Sequence, residues 1–271
     1  MATIVILEHL MQRSLGMPYM MYAFAERWRH RGHKVLVHYG TENPPHGDIA
    51  ILNVDLTVIP GAYRSLLTHY PRVINGAALD ISKRRFSQDL LVRDSDYSGP
   101  VIVKTDANFG GRVDQDIRLL AEAAGMPSDI PIGPKMETYP IFRSPRDLPE
   151  ATWNTPGLIV EKFLPEQDER GYYSRHWFFF GHRDRSHRCR ANVPIIKSHD
   201  VLEREPTPVP DEIRRWREKL GFDFGKFDYV RHGERYVLLD INRTPTLPAQ
   251  RGAEANARLD FLAEGLDDYF R

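Results

Sequence analysis

The first eighty residues constrain the fold most strongly, because short continuous apolar runs alternate there with segments of helical spacing. Residues 3–7 read TIVIL. Comparable runs recur at 33–40, 47–55 and 71–78. Runs of this kind are typical of parallel strands that are buried on both faces. Apolar residues at helical spacing over 19–31 and 63–70 supply the connecting helices. We therefore predict a small open α/β lobe for this part of the chain.

The pattern of the remaining residues predicts a second region that is richer in antiparallel hairpins. Helices are predicted over 81–91, 211–221 and 253–270, and Gly221 ends the second of them. Strands are predicted at 98–106, 131–142, 157–164, 172–180, 188–196, 224–230 and 235–243. The last two strands form a hairpin that turns at His232-Gly233. The predicted fold class is therefore α/β plus α+β.

Charge and composition exclude several classes of protein. The 37 basic and 37 acidic residues cancel, so no global field favours nucleic acid or an anionic membrane. Cys189 is the single cysteine, which rules out an intramolecular disulfide framework and a Cys-rich zinc site. No segment approaches the ~20 apolar residues of a membrane span, and no basic region precedes the first apolar run. We expect a soluble cytoplasmic protein with neither nucleic-acid nor membrane partners.

Three oxygen-bearing side chains of the last predicted hairpin are candidate metal ligands. Asp240 and Asn242 are two residues apart in one strand, so their side chains share a face. The turn at His232-Gly233 brings Asp228 beside them. Carboxylate and amide oxygens suit Mg2+, which also takes water and phosphate oxygens. Spacing alone leaves an alternative, because solvent-facing strands carry the same polar alternation.

Two upstream segments are candidates for binding a nucleotide. Lys104 ends the run VIVK and precedes a loop that contains Gly110 and Gly111. An ammonium group and flexible backbone N–H groups suit a polyphosphate, although Gly-Gly turns are also common structural turns. The segment GLIVEKFLPEQDE leaves an apolar strand at Glu161, so its backbone could read a purine edge while an acid binds ribose. The alternative for this segment is a strand that leaves the core with charged residues at its end.

Four features in this order resemble the ATP-grasp superfamily, and particularly the D-alanine–D-alanine ligase-like carboxylate–amine ligases. They are Lys83 in ISKRRF, Lys104 with its glycine loop, the EKFL segment, and Asp228 followed by Asp240-x-Asn242. The resemblance runs from about residue 80 to the C-terminus, and the preceding lobe is similar to a pre-ATP-grasp domain in its element order. It implies an ATP-grasp fold with an N-terminal lobe at 1–80, a central subdomain at 81–165 and a C-terminal subdomain at 166–271.

The resemblance also implies roles for individual residues. Lys83 would contact the α-phosphate, and Lys104 the α- and β-phosphates. The loop that would close over the phosphates contains Asn108, Gly110 and Gly111. The hinge that would grip adenine consists of Glu161, Lys162, Phe163 and Leu164. Asp168, with Glu166 as a close rival, is the ribose-binding acid.

Metal and catalytic roles follow from the same resemblance. Asp228, Asp240 and Asn242 would hold two Mg2+ ions, with Mn2+ as an alternative cation. Arg175 and Lys197 fit positions near the γ-phosphate or the acyl phosphate. Lys226 stands two residues before Asp228, where some members carry arginine.

The implied function is an ATP- and Mg2+-dependent carboxylate–amine ligase that acts through an acyl phosphate on small-molecule substrates. The alternatives are a phosphotransferase on the same fold and an ATP-binding module without catalysis. After Asn242 the chain reads RTPTLP, where ligases with an amino acid acceptor often have a Gly-rich turn, so the acceptor is left open. The oligomeric state is left open as well, a homodimer being the commonest closed assembly.

Overall fold

A computed structural model describes residues 1–248 and 252–270, and these residues form three β-sheets. The first sheet is parallel, in the order β2-β1-β3-β4. Its strands are β1 (Thr3–Glu8), β2 (Lys34–Tyr39), β3 (Ile49–Leu52) and β4 (Val73–Ile74). Helices α1 (Met20–His30) and α2 (Gly61–Leu67) provide crossover connections. Alternate residues of β1 pack with α1 on one face and with α2 on the other, as expected for a doubly covered parallel sheet.

The second sheet is small and antiparallel, in the order β6-β5-β7. Its strands are β5 (Val101–Thr105), β6 (Ile141–Phe142) and β7 (Leu158–Lys162). The helices of this segment are α3 (Lys83–Phe86), α4 (Arg112–Ala123) and α5 (Glu150–Asn154). A 3-10 turn over Asn108–Gly111 joins β5 to α4, so the predicted glycine loop lies between the sheet and its longest helix.

The third sheet is antiparallel, in the order β11-β10-β9-β12-β13, and β8 pairs with β9. Its strands are β8 (Glu166–Asp168), β9 (Gly171–Phe180), β10 (Arg183–Ala191), β11 (Glu203–Pro206), β12 (Phe224–His232) and β13 (Arg235–Asn242). Helix α6 (Asp211–Leu220) covers one face, where Trp177, Phe179 and Phe227 are buried. The other face of β9 and β12 carries the charged side chains described below. The chain ends in α7 (Ala253–Ala263) and a 3-10 segment, Glu264–Tyr269.

A buried arginine ties the third sheet to the first lobe. Arg243, directly after β13, is 0% exposed, and its guanidinium donates hydrogen bonds to the carbonyl oxygens of Val54, Leu56 and Ala78. The next residue, Thr244, donates its hydroxyl hydrogen to Asp55 Oδ1 at 2.5 Å. Burial lowers the pKa of Arg243 to about 10, while the nearby carboxylate of Asp55 opposes that shift. The end of β13 is therefore fixed against the first lobe by polar contacts shielded from water.

Several of the predicted elements are wrong in extent. The helix predicted at 81–91 is limited to Lys83–Phe86, because Leu90 pairs with Glu161 and the Leu91 N–H donates to Val160 O along β7. The strand predicted at 131–142 is only Ile141–Phe142, since three prolines interrupt it and lack the N–H that a ladder needs.

Three further differences concern turns and helices. The second strand predicted at 188–196 is β10, Arg183–Ala191, because the hairpin turns tightly at Gly181 and β10 starts directly after it. The residues that form α4 were not predicted to be helical. The helix predicted at 253–270 is α-helical to Ala263 and continues as a 3-10 segment. None of the helices described in 1–248 and 252–270 is both long and apolar enough to cross a bilayer.

Candidate functional site

The three predicted metal ligands lie on one face of the β12–β13 hairpin. Asp228 is directly opposite Asp240, and Lys226 is directly opposite Asn242. Cross-strand partners point to the same side of a sheet, so these four side chains share a face. A β-bulge follows Asp228. The fold therefore brings the predicted ligands together, although their metal-binding role remains a prediction.

The two carboxylates of this face differ in their electrostatics. Burial raises the pKa of Asp240, and Asp228 adds to that rise, while Lys83 opposes it. Burial would also raise the pKa of Asp228, but Lys226 and His176 outweigh it and lower that pKa. The Lys226 ammonium lies 2.8 Å from Asp228 Oδ2. Asp228 Oδ1 is buried and lies 2.9 Å from His176 Nδ1.

This donor set fits a hard divalent cation only in part. Two facing carboxylates and the amide oxygen of Asn242, which also accepts the Thr244 N–H, offer the ligand type that Mg2+ prefers. Over residues 1–248 and 252–270, however, no three His, Cys, Asp or Glu side chains are grouped closely enough to hold a metal ion. Water and polyphosphate oxygens would therefore complete the coordination, as is usual for Mg2+.

The two predicted phosphate-binding lysines, Lys83 of α3 and Lys104 of β5, are both buried near Asp240. Lys83, only 2% exposed, donates to Ala107 O at 3.0 Å and lies 3.6 Å from Asp240 Oδ1. Lys104, 6% exposed, forms an ion pair of 2.7 Å with Glu161. Both ammonium groups act on the pKa of Asp240. A polyphosphate between the second and third sheets would therefore lie beside both lysines.

The glycine loop has a left-handed backbone, and its two glycines have no room for a side chain. Phe109, Gly110 and Gly111 have φ values of 47°, 66° and 74°, in the left-handed region that favours glycine. A Cβ on Gly110 would lie 2.0 Å from Met136 O, and one on Gly111 would lie 2.4 Å from the carbonyl oxygen of Pro134. The Gly110 carbonyl accepts a hydrogen bond from the Met136 N–H. The loop thus packs closely on the segment that follows α4.

Asn108 is the first residue of the same loop, and its backbone is hydrogen-bonded to the first lobe. Its backbone N–H donates to Thr57 Oγ1 at 2.8 Å, and the Thr57 hydroxyl donates in turn to Asp114 on α4. Asn108 Oδ1 is buried and accepts no hydrogen bond from the described residues. That amide oxygen is therefore available to a ligand or a water molecule.

The predicted hinge borders an open cleft of about 1040 Å³ whose lining includes Phe163, Leu164 and Glu166. Within the hinge, the Lys162 N–H donates to Asp89 O and the Phe163 N–H to Pro100 O. The Leu164 N–H has no acceptor among the described residues. Of these three backbone N–H groups, only that of Leu164 is without a protein acceptor among the described residues, and it could therefore donate to a ligand. The Glu161 side chain turns instead to Lys104.

The two candidates for the ribose-binding acid occupy different surroundings. Glu166 lines the hinge cleft, but its carboxylate accepts two hydrogen bonds from Arg175, one from Arg188 and one from the Arg231 N–H. Asp168 lies in a separate cavity of about 320 Å³ and accepts hydrogen bonds from the Tyr173 hydroxyl. Both carboxylates therefore already accept hydrogen bonds from the protein, and the ribose-binding role, for which the sequence favours Asp168 over Glu166, stays a prediction.

Two predicted catalytic cations, Arg175 and Lys197, do not lie on the hairpin face that carries Asp228. Arg175 pairs with Tyr229 across β9 and β12, which places its side chain on the opposite face of the sheet from Asp228, and it binds Glu166 there. Lys197 follows β10 and donates to Glu137 O at 3.2 Å, so it bridges the segment after β10 and the segment before β6. In this conformation Arg175 supports the hinge cleft and Lys197 joins two loops.

Two side chains beside the site were not predicted from the sequence. His176 on β9 is directly opposite Asp228, with its Nδ1 atom 2.9 Å from Asp228 Oδ1. Tyr139 has a raised pKa, mainly through burial and also through Asp240. The alternation of β9 could have indicated His176 once its register with β12 was known. No signal marked Tyr139, which follows a proline-rich stretch without regular structure.

Comparison with known proteins identifies relatives of the fold. No known protein family's sequence profile matches the chain, and no curated protein matches it by sequence. A RimK domain protein of the ATP-grasp type from Sphaerobacter thermophilus is similar in structure, with TM-score 0.57, 11% identity, and 97% of this chain and 98% of that chain covered. D-cycloserine synthetase DcsG gives TM-score 0.56 at 13% identity, with 99% and 100% covered. The ATP-grasp ligase PsnB, complexed with minimal precursor, gives 0.51 at 12%, with 100% of both chains covered. These similarities confirm the predicted fold class.

Proposed function

We propose that this chain, which has the ATP-grasp fold, is an ATP- and Mg2+-dependent ligase that joins a small-molecule carboxylate to an amine through an acyl phosphate. One observation carries the proposal: the buried Lys83 of α3 lies 3.6 Å from Asp240 Oδ1 on the third sheet, and the buried Lys104 of the second sheet also lowers the pKa of Asp240. The names of two structural neighbours, D-cycloserine synthetase and ATP-grasp ligase, support ligase chemistry. The reaction would take place in the cytoplasm, where ATP is available.

The nucleotide would lie between the second and third sheets. The Leu164 N–H, which has no acceptor among the described residues, would bind the adenine edge. Lys104, oriented by its ion pair with Glu161, and Lys83 would neutralise phosphate charge. Such charge-assisted contacts are stronger in a site shielded from water.

The reaction needs no covalent enzyme intermediate. A carboxylate oxygen of the substrate attacks the γ-phosphorus, the bond from that phosphorus to the bridging oxygen breaks, and ADP leaves. The amine nitrogen then attacks the acyl carbon, the carbon–oxygen bond to phosphate breaks, and the nitrogen loses a proton to give the amide. Bound Mg2+ would neutralise charge that develops on the phosphate oxygens; Asp228, Asp240 and Asn242 are the residues that would hold it.

Two lysines of the chain would stabilise the transferring phosphoryl group by their positions and positive charges. Lys226 is held by Asp228 at 2.8 Å, on the face that the transferring phosphoryl group would meet. Lys83 reaches the same region beside Asp240. Preorganised cations of this kind lower the barrier because they need little reorganisation when charge develops.

Release of ADP tests the proposal. The wild-type chain is incubated with Mg2+, ATP, a panel of carboxylic acids and a pool of amines, and products are identified by mass. We expect ADP together with an amide, and loss of both in Asp240→Asn. Asp260→Asn is the matched control, since Asp260 lies on α7 and pairs with Arg27 away from the site. Undiminished turnover in Asp240→Asn would refute the assignment of the site. A stable phosphorylated product without an amide would instead identify a phosphotransferase.

A further inference from the structure

Phe109 combines a strained backbone with an exposed aromatic ring. Its φ of 47° and ψ of 42° lie in the left-handed region, which is rare for a bulky residue. Among the described residues, the other non-glycine residues with positive φ are both asparagines, Asn43 and Asn75, and asparagine tolerates this region. The next two residues are glycines, so a further glycine at position 109 would relieve the strain. The phenylalanine therefore calls for a role of its ring.

The packing of the protein does not account for this ring. Phe109 is 53% exposed and belongs to none of the four apolar clusters that the described residues form. The guanidinium of Arg112 lies over the ring, with Cζ 5.4 Å from its centroid, a distance at which a cation is attracted to an aromatic ring. Because Arg112 is itself exposed, this contact orients the ring without burying it. An exposed ring on a strained backbone indicates a binding role.

The ring lies where three parts of the fold meet. Lys83, which is 3.6 Å from Asp240 Oδ1, donates a hydrogen bond to the carbonyl oxygen two residues before Phe109. The residue directly before Phe109 donates its backbone N–H to Thr57 Oγ1 of the first lobe. Strand β13 also lies against the loop. Phe109 is therefore at the junction of the first lobe, the second sheet and the third sheet, near Asp240.

The ring and the hinge lie at opposite ends of β5. Val101, the first residue of β5, pairs with Lys162 of the hinge. Thr105, the last residue of β5, leads into the loop that carries Phe109. The four residue steps between the two ends span about 13 Å. An adenine bound at the hinge would therefore direct its phosphates past Lys104 towards Phe109, and the group that meets the ring would lie beyond the triphosphate.

We propose that Phe109 is a substrate-binding residue, and that the carboxylate substrate carries an aromatic ring that stacks on it. The inference rests on the proposed function, because the γ-phosphate end of ATP determines which substrate reaches the ring. Phosphate oxygens gain nothing from an apolar ring without hydrogen-bond donors, whereas aromatic pairs attract each other beyond the area that they bury. The ring recognises the substrate and takes no part in bond making.

Fluorine NMR of the full chain tests the inference without turnover. A 4-fluorophenylalanine label is placed at position 109, and the chain is saturated with Mg2+ and a non-hydrolysable ATP analogue. Aromatic acids (benzoate, phenylacetate and phenylalanine) are then titrated against aliphatic acids of the same charge (acetate, propionate and alanine). We expect a saturable shift of the 109 resonance with at least one aromatic acid and with none of the aliphatic acids. The same label at Phe270, an exposed ring that stacks on His33, is the control and should not respond.

Substitutions distinguish a binding role from a structural one. Phe109→Leu keeps an apolar side chain but removes the ring, so KM for the best aromatic acid should rise roughly 2- to 10-fold, while KM for ATP is unchanged. Phe109→Gly also removes the strain, so the melting temperature should hold or rise, whereas a ring that stabilises the fold predicts a lower one. Asn43→Gly is the matched control, because it changes another exposed residue of positive φ and should leave both KM values unchanged.

The outcomes separate this inference from the proposed function. An equal response of the 109 label to aromatic and aliphatic acids would overturn the inference alone, as would no response while the chain turns over a carboxylate. A lower melting temperature in Phe109→Gly, with KM unchanged in Phe109→Leu, would assign the ring to the fold and overturn the inference as well. Failure of the wild-type chain to bind nucleotide and to release ADP with any acid would overturn the proposed function together with this inference.

Discussion

Replacing the buried Arg243 with methionine should strongly destabilise the protein. The substitution keeps an unbranched apolar stem but removes the guanidinium, which donates to the carbonyl oxygens of Val54, Leu56 and Ala78. It also removes a positive charge that lowers the pKa of the buried Asp55 carboxyl group. No water reaches this residue, since Arg243 is 0% exposed.

The expected loss follows from these contacts. A buried polar group left without its partner costs about 1–3 kcal/mol, and three carbonyl oxygens lose the same donor. The costs overlap, because one guanidinium serves all three oxygens, so we expect a loss of about 3–5 kcal/mol for Arg243→Met. That is a large share of the roughly 5–15 kcal/mol by which folded proteins are stable.

Urea unfolding followed by tryptophan fluorescence measures this loss. Trp28 is buried in the first lobe and Trp177 under the third sheet, so the signal reports on both sides of the contact. Arg258→Met is the control, because its ion pair with Glu254 is exposed and helical and should contribute less than about 0.5 kcal/mol. A loss below about 1 kcal/mol in Arg243→Met would refute the reasoning, since it lies within the range of a single unmade hydrogen bond.

Three further predictions concern pH, the glycine loop and the phosphate site. Burial raises the pKa of Glu8 from 4.5 to about 7, so the folded chain keeps a proton that the unfolded chain releases. Stability from this group is full below pH 4.5 and falls by about 3 kcal/mol as the pH rises through 7; Glu8→Gln should flatten that slope in urea titrations at several pH values. Gly110→Ala should raise KM for ATP, because its Cβ would meet Met136 O, whereas Gly125→Ala, with a similar φ of +69° and open space, should not. Lys104→Met should weaken ATP binding roughly 10- to 100-fold, the value of a charged hydrogen bond, in calorimetric titration; unchanged affinity would remove Lys104 from the phosphate site.

Local sequence patterns were sufficient to predict the features that depend on spacing within one strand or hairpin. The two-residue separation of Asp240 and Asn242, with a turn at His232-Gly233, predicted their shared face and the approach of Asp228. The apolar run of β1 predicted a buried parallel strand, and the structure has one. These features depend on alternation and turn geometry, which the sequence carries directly.

Features that depend on pairing between distant strands could not be predicted. Arg175 and His176 are neighbours in sequence, and only the register of β9 with β12 decides which of them faces Asp228. A shift of one residue would exchange their faces. Residues 87–91 have helical spacing, but Leu90 pairs with Glu161 of β7, a tertiary contact that overrides local propensity.

Transfer of an 18O label from substrate to phosphate tests the central claim most directly. The chain is incubated with Mg2+, ATP, amines and a panel of carboxylic acids whose carboxylate oxygens carry 18O, and the released phosphate and nucleotide are analysed by mass. An acyl phosphate predicts ADP and inorganic phosphate that carries one 18O atom for each amide formed. Release of AMP bearing the label, or an amide formed with unlabelled phosphate, would contradict the proposed reaction.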